Sequence, residues 1–402
     1  MKKLVLLYAV LALASLQSPA CTTAIISGKF TPDGRPLLWK NRDTGDTDNK
    51  LMYFTDGKYD YIGLVNSKDT TGREVWVGMN TAGFAIMNSV SYNINPKEEA
   101  DAGINEGKVM KQALQQCATV DDFEKMLKTL AKPYGIAANF GVIDAQGNGA
   151  FFETSNRGYF KIDVNDPVAA PMGYLIRTNY SFTGTPDEGQ GYIRYLTAEK
   201  LFYQASATNN LTPEFILRDA ARCLVHSLTE TDLKQQQTRE KEKFVWFTDF
   251  IPRFSTAASV VVQGTRKGEP ASSMTMWSVL GFPLCSVVFP VWFNEAHVLP
   301  QLLQADSTGY APLCNKALAL KDRCFPVKRG HGDNYLNLPA LVNPAGTGIL
   351  QKLGPVEEQV LSESETQVAS WRKKPPATGD IRRFYDRLDK LITEAYLRLF
   401  GF

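Results

Sequence analysis

The sequence predicts an α+β fold in which antiparallel sheets and helices pack as layers. Three observations carry this reading. Strand-like runs come in pairs around short turns, helical spacing fills the stretches between the pairs, and strand character returns downstream without the regular strand–helix alternation of a parallel sheet. Residues 22–27 form a β-rich run, Thr31-Pro32-Asp33-Gly34 a turn, and residues 36–41 the returning strand. A second hairpin joins residues 74–79 to 84–90 around Asn80-Thr81-Ala82-Gly83, and a third joins 137–144 to 149–153 around Ala145-Gln146-Gly147-Asn148. Helical spacing covers 105–117 and 120–130, where Asp121 and Asp122 suit the positive end of the helix dipole. Residues 201–205 and 213–228 add helical pattern, and 244–249, 257–263 and 284–291 return to strand. Lys373-Lys374-Pro375-Pro376 breaks the chain before 380–399. There Ile381, Phe384, Leu388, Leu391, Ile392 and Ala395 recur at helical spacing, and the mixed charges of the polar face favour a docked helix over one lying on a membrane.

The first residues are of another kind. Lys2 and Lys3 precede an apolar run over 4–14, and Ser18 and Ala20 place small residues before Cys21, the pattern of a signal peptide over 1–20. Its removal puts a thiol and a free α-amine on the same Cα of Cys21 and implies a periplasmic or secreted protein. A rival reading keeps the cut but acylates Cys21 as a lipoprotein anchor, for instance in the outer membrane; Ser18 and Pro19 are unusual flanks for such a signal. The expected organisation is a leader over 1–20, one large domain over 21–354, and a helical extension over 355–402 packed on that domain.

Composition excludes several classes of partner. The 402 residues carry 44 Lys plus Arg against 42 Asp plus Glu, and loss of Lys2 and Lys3 makes the balance even, so no basic stripe points to nucleic acid. After the leader, no apolar run reaches the roughly 18 residues a bilayer requires. Cys314 and Cys324 are close in a Pro- and Lys-containing stretch and form the candidate disulfide, while Cys117 and Cys285 sit among apolar neighbours as buried thiols. The cysteines and the scattered His226, His297 and His331 lack metal-ligand spacing, so neither metal nor cofactor is expected.

A catalytic N-terminal cysteine needs a group that holds its amine and donors for an oxyanion. Asp43 ends the strand returning from Cys21, Asn88 and Asn179 offer side-chain amides, and Arg253 offers a cation that favours a thiolate. Cys21-Thr22-Thr23, Asp33-Gly34, Lys40-Asn41-Arg42-Asp43, the segment from Asn80 to Asn88, Arg177-Thr178-Asn179 and Ile251-Pro252-Arg253-Phe254-Ser255 together resemble the N-terminal nucleophile amide hydrolases of the choloylglycine hydrolase, penicillin V acylase and penicillin acyltransferase group. The resemblance implies an αββα sandwich. It also implies that Cys21 attacks an amide carbonyl, its α-amine relays the proton, Asp43 orients the amine, Asn88 and Asn179 line the oxyanion site and Arg253 supports the thiolate. The partner it implies is a small acyl amide. Two positions depart from it: Lys40 stands where bile salt hydrolases and penicillin V acylases carry Arg, and Arg42 adds a charge that faces either solvent or an anionic substrate. Lys40 and Arg42 are thus candidate substrate contacts. Related N-terminal cysteine dipeptidases also begin Cys-Thr-Thr, so a dipeptide substrate remains an alternative, as does a non-catalytic lipoprotein.

Overall fold

The computed structural model describes residues 20–96 and 105–402, so the leader expected over 1–20 lies outside the described residues except for Ala20. The first hairpin is β1 (Thr22–Ile26) with β2 (Leu37–Asp43), in a register that sets Thr22 opposite Asn41 and Ile26 opposite Leu37. Next come β3 (Asn49–Phe54), β4 (Tyr61–Asn66), β5 (Val77–Asn80) and β6 (Ala85–Val90). Then follow α1 (Glu106–Gln116), α2 (Val120–Thr129), β7 (Ala138–Ile143), β8 (Gly149–Thr154) and β9 (Tyr159–Asp163). The middle of the chain supplies β10 (Tyr174–Arg177), α3 (Tyr192–Ala207) and α4 (Pro213–Phe215), which runs into a wide turn over Ile216–Ala220. After them lie the short ribbon of β11 (Val225–His226) and β12 (Thr231–Asp232), then β13 (Phe244–Trp246), β14 (Thr256–Gln263), β15 (Thr275–Leu280) and β16 (Phe289–Val291). The chain closes with α5 (Pro312–Cys324), β17 (Tyr335–Asn337), α6 (Leu338–Leu341), α7 (Ile349–Lys373) and α8 (Thr378–Phe400).

Two antiparallel sheets result. One has six strands in the order β10-β1-β2-β14-β15-β16, the other seven in the order β3 through β9. They pack face to face: a Cβ added to Gly141 of β7 would lie 3.1 Å from Cδ1 of Ile25 in β1. The outer face of the seven-stranded sheet is covered by α1 and α2, where Phe123 meets Phe140 and Phe152 edge-on with centroids 5.6 and 5.1 Å apart. Thr119 and Asp122 form the capping box that starts α2. The outer face of the six-stranded sheet carries α3 and α5, with Trp39 stacked on Phe202 at 5.7 Å. This is the expected αββα sandwich. Strands covered on both faces are buried on both: β1, β2 and β14 are buried along their whole length, including the polar end of β2 from Lys40 to Asp43. At the edge of the other sheet β9 alternates charged and apolar residues and is largely exposed. The Asn80–Gly83 turn closes as its sequence predicts: Asn80 Oδ1 accepts from the amides of Ala82 and Phe84, and Gly83 takes φ 86°, where a side chain is strained.

Several expectations change. The helical pattern over 213–228 ends near Ala220, because Val225–His226 turns to pair with Thr231–Asp232. The strands expected over 244–249 and 284–291 shrink to Phe244–Trp246, paired with β17 outside both main sheets, and Phe289–Val291, where Pro290 suits an edge strand. The boundary at 355 falls inside α7, so the helical extension begins at Ile349. The Cys314–Cys324 disulfide is corrected outright: both residues lie on α5, ten positions apart, a rise of about 15 Å along the helix where a bridge tolerates about 7 Å between Cα atoms. Cys324 Sγ instead lies 3.8 Å from Cys285 Sγ, and all six cysteines are reduced. Among the described residues no helix is long and apolar enough to cross a membrane.

Candidate active site

Cys21 stands immediately before β1, where the strand order places it between the ends of β10 and β2. Alternation along β2 sorts its side chains by layer. Trp39 and Asn41 face the helices, Asn41 Nδ2 donating to the Ala221 carbonyl at 3.3 Å, whereas Lys40 and Arg42 face the seven-stranded sheet. Lys40 Nζ donates to Asn88 Oδ1 of β6 at 2.6 Å and to the Trp76 carbonyl at 2.9 Å. Arg42 donates to Asn49 Oδ1 of β3 and, at 2.7 Å, to Asn66 Oδ1 of β4, and lies over the Trp76 ring with its Cζ 4.9 Å from the centroid. Arg42 is buried, so the solvent-facing alternative is corrected: its charge is spread over two amide oxygens and an aromatic face between the sheets.

Asp43 ends β2 where β14 begins. Its Oδ1 accepts from Thr256 Oγ1 at 2.6 Å, and Arg253 Nε lies 3.3 Å from Oδ2. Cys21 Sγ is 3.9 Å from the Asp43 backbone carbonyl, so thiol and carboxylate share one corner of the sandwich. The other side of that corner is closed by Arg194 of α3. Its Nη1 donates to the Cys21 carbonyl at 2.7 Å and to Thr22 Oγ1 at 3.0 Å, and its Nη2 donates to Asn179 Oδ1 at 2.8 Å. Asn179 Nδ2 in turn donates to the Val90 carbonyl at 2.9 Å.

The cluster is buried, and burial sets its electrostatics. It pulls the Lys40 ammonium down to about 8 against the opposing attraction of Cys21, and the guanidiniums of Arg42 and Arg194 down to about 10. It pushes the Asp43 carboxyl up, and Arg253, Arg194, the Thr256 hydroxyl and Lys40 pull it back. Lys40, Arg42 and Arg194 thus bring three buried cations, and Asp43 a carboxylate, to the Cys21 end of the six-stranded sheet. Because Asn88 Oδ1 is taken by Lys40, its amide nitrogen is turned away from Lys40 and is the donor left for another acceptor.

Asp43, Lys40 with Asn88, and Asn179 through Arg194 gather near Cys21, whereas Arg253 meets Asp43 and Arg42 turns to Asn49, Asn66 and the Trp76 ring. Asn179 is tied to Cys21 through Arg194, and both ends of its amide already hold partners. Arg194 and Thr256 go beyond the sequence reading. Thr256 follows directly on Arg253-Phe254-Ser255 and was one position from a motif; Arg194 lies in an otherwise unremarkable helical stretch, and nothing in its linear surroundings marks it. Among the described residues no group of His, Cys, Asp or Glu is arranged to hold a metal.

Comparison with known proteins bears on this site. A search of curated proteins finds no match. Solved structures similar to the chain include the N-acylethanolamine-hydrolyzing acid amidase ortholog of Caenorhabditis elegans, at 12% identity over 60% of this chain and 92% of that one, with TM-score 0.38. Conjugated bile acid hydrolase from Clostridium perfringens is similar at 12% identity over 68% and 92%, with TM-score 0.40. Penicillin V acylase from Agrobacterium tumefaciens is similar at 12% identity over 68% and 86%, with TM-score 0.35. The family model for acyl-coenzyme A:6-aminopenicillanic acid acyl-transferase matches residues 30–246, a segment that holds Lys40, Asp43, Asn88, Asn179 and Arg194 and lies between Cys21 and Arg253. With that match over more than half of its length, the chain belongs to the acyl-coenzyme A:6-aminopenicillanic acid acyl-transferase family of N-terminal nucleophile hydrolases, enzymes of the amide carbon–nitrogen bond.

Proposed function

We propose that the protein is an exported, periplasmic or secreted, cysteine amidase that cleaves a linear acyl amide through an acyl-Cys21 intermediate. The observation that carries the reading is the convergence of Asp43, Lys40 with Asn88, and Arg194 with Asn179 on one buried thiol at the start of β1. While Ala20 is attached, the Cys21 nitrogen is an amide and offers no base. Removal of residues 1–20 turns it into an amine, and loss of Ala20, which is fully buried, also vacates volume beside the thiol.

In the mature enzyme the α-amine takes the Cys21 proton as Sγ attacks the substrate carbonyl. The carbonyl electron pair moves to oxygen, where the Asn88 amide donates, while Asn179, tied to Arg194 and to the Val90 carbonyl, lines the same site. As the intermediate collapses, the carbon–nitrogen bond breaks, the α-amine gives its proton to the departing nitrogen, and a thioester remains. Water, deprotonated by the same amine, then attacks the thioester, the carbon–sulfur bond breaks, and the amine returns the proton to Sγ as the acid leaves. Asp43, held by Thr256 and Arg253, orients the amine. Substrates in keeping with the site are N-acyl amino acids, bile-salt-like amides or penicillin-like amides. The family match also favours a second reading, in which an acceptor amine takes the acyl group in place of water.

The test is an acyl-trapping experiment on the exported protein. Acid quenching during turnover of an N-acyl amino acid is expected to leave one acyl group on a peptide that begins at Cys21 and carries a free α-amine. Full turnover by Cys21→Ala would overturn the reading, and an N-terminal peptide acylated before substrate is added would replace it with a lipoprotein anchor.

A further inference from the structure

A second cavity, of about 490 Å³, opens at the other end of the six-stranded sheet, and Cys21 does not line it. Its floor is Trp292 and Phe293, which follow β16. Trp371 and Ile381 of the α7–α8 hairpin form one wall, Tyr53 of β3 another, and Arg372 sits on the rim. Val291 pairs with Met276, so Trp292 lies on the row defined by Thr275, Gln263, Leu37 and Ile26. Five residues along β1 and four strand spacings then separate this cleft from Cys21, a distance of about 25 Å.

Two features define what the cleft fits. The first is an aromatic corner: Trp292 and Trp371 meet at 4.8 Å and 87°, so a flat ring lying on one of them meets the other edge-on. Trp292 Nε1 is committed to Thr275 Oγ1 at 2.9 Å and one face of its ring is stacked on Tyr385 at 5.9 Å, so the small part of the indole that reaches the cavity is apolar. The second is a cation without enough acceptors. Arg372 Nε and Nη2 are buried and lack an acceptor among the described residues, and its Nη1 reaches Asp33 Oδ2 only at 3.7 Å. Asp33 is already engaged by Arg35 at 3.0 Å and Gln263 at 2.7 Å, Glu269 takes Arg35 at 2.5 Å, and Arg35 Nε is itself orphaned. Buried guanidinium N–H groups are ordinarily satisfied. At the far side of the cleft Asp60 pairs with His297 at 3.2 Å and Glu295 adds a second carboxylate, which disfavours a ligand with negative charge at both ends.

We propose that this cleft is a binding site for a small aryl monocarboxylate, with its ring in the Trp292–Trp371 corner and its carboxylate on Arg372. The volume suits such a ligand. The α7–α8 hairpin and the residues after β16 supply the aromatic corner and Arg372 and lie beyond the matched segment, while Tyr53, Asp60 and Thr81 lie within it.

The test uses full-length mature protein carrying Cys21→Ala, which separates binding here from any reaction at the nucleophile. Titration with 2-naphthoate, followed by calorimetry and tryptophan fluorescence, is expected to show one saturable site with quenching. Arg372→Gln is expected to weaken it at least tenfold, Arg372→Lys by less, and 2-naphthamide to bind at least tenfold more weakly than 2-naphthoate. Absence of saturable binding, equal affinity for acid and amide, or an affinity unchanged in both Arg372 variants would each overturn the proposal. Should Arg372→Gln fail to fold, the Arg372→Lys comparison and the acid–amide pair decide it.

Discussion

At the end of the six-stranded sheet that carries Cys21, buried cations meet oxygens made ready for them: Lys40 has Asn88 and a carbonyl, Arg42 has Asn49 and Asn66, and Arg194 has Cys21, Thr22 and Asn179, leaving just its Nε without an acceptor. At the other end Arg372 lines the same cleft as Trp292 and Trp371, with two nitrogens lacking an acceptor. Both ends bury charge, yet one spends its hydrogen bonds on holding neighbouring groups in place and the other leaves them open. Saturated bonding fixes the geometry that a reaction needs, while unsatisfied donors beside an apolar cavity are the mark of a place where a ligand supplies the missing acceptor.

The contrast is sharpened first by removing the nucleophile. Cys21→Ala is expected to lower turnover by at least about 10³-fold with the fold intact, measured as kcat/KM beside a thermal melt. Asp43→Asn comes next: the loss of the group that orients the amine is expected to cost about 10²–10³-fold in kcat with a small change in Tm, and unchanged kcat would remove Asp43 from the mechanism. Arg194→Met leaves the Cys21 carbonyl and Asn179 Oδ1 without their donor, so a stability loss of about 2–3 kcal/mol by urea denaturation is expected together with slower turnover. Arg372→Met, whose parent makes few bonds, is expected to change stability by less than about 1 kcal/mol; a loss equal to that of Arg194→Met would erase the distinction between the two ends.

The pH dependence probes the first end alone. Lys40 is held near 8 in the fold against 10.5 in an open chain, so between those values the unfolded state binds more protons, and the contribution of Lys40 to stability rises with pH. In the fold its charge, and with it the charged donor to Asn88 Oδ1, is lost as pH rises through about 8. The expected kcat/KM falls up to tenfold per unit above about pH 8, and Lys40→Arg, which stays charged, is expected to remove that limb. A high-pH limb identical in Lys40→Arg assigns the titration to another group.

Much of this molecule was legible in one dimension because local forces decide it. The hairpins around Thr31–Gly34, Asn80–Gly83 and Ala145–Asn148 were readable since their turns carry Gly with Asn or Asp, and α1, α2 and α8 since their apolar spacing repeats. The strands over Asn49–Phe54, Tyr61–Asn66 and Thr275–Leu280 escaped, because strands buried on both faces lose the alternation that identifies them. Asp43 was legible at the site because its strand begins at the nucleophile, and Asn88, Asn179 and Arg253 because they sit in short motifs. Arg194 and the partners of Arg42 were not, since their contacts span long stretches of chain, and the Cys314–Cys324 pairing failed because proximity in sequence becomes a separation of several turns once the segment is helical.

By itself, then, the sequence determined the layered α+β class, the place of Cys21 directly before the first strand and the order of the polar residues that the fold brings near it, all of them consequences of local propensity and of short motifs. Only the tertiary structure decided that Lys40 and Arg42 turn inward between the sheets, that Arg194 rather than water holds the Cys21 carbonyl, and that α7 and α8 enclose a second cleft. Those outcomes depend on which strands become neighbours and which side chains share a desolvated space, and a buried charge takes whatever oxygen the packing brings within reach.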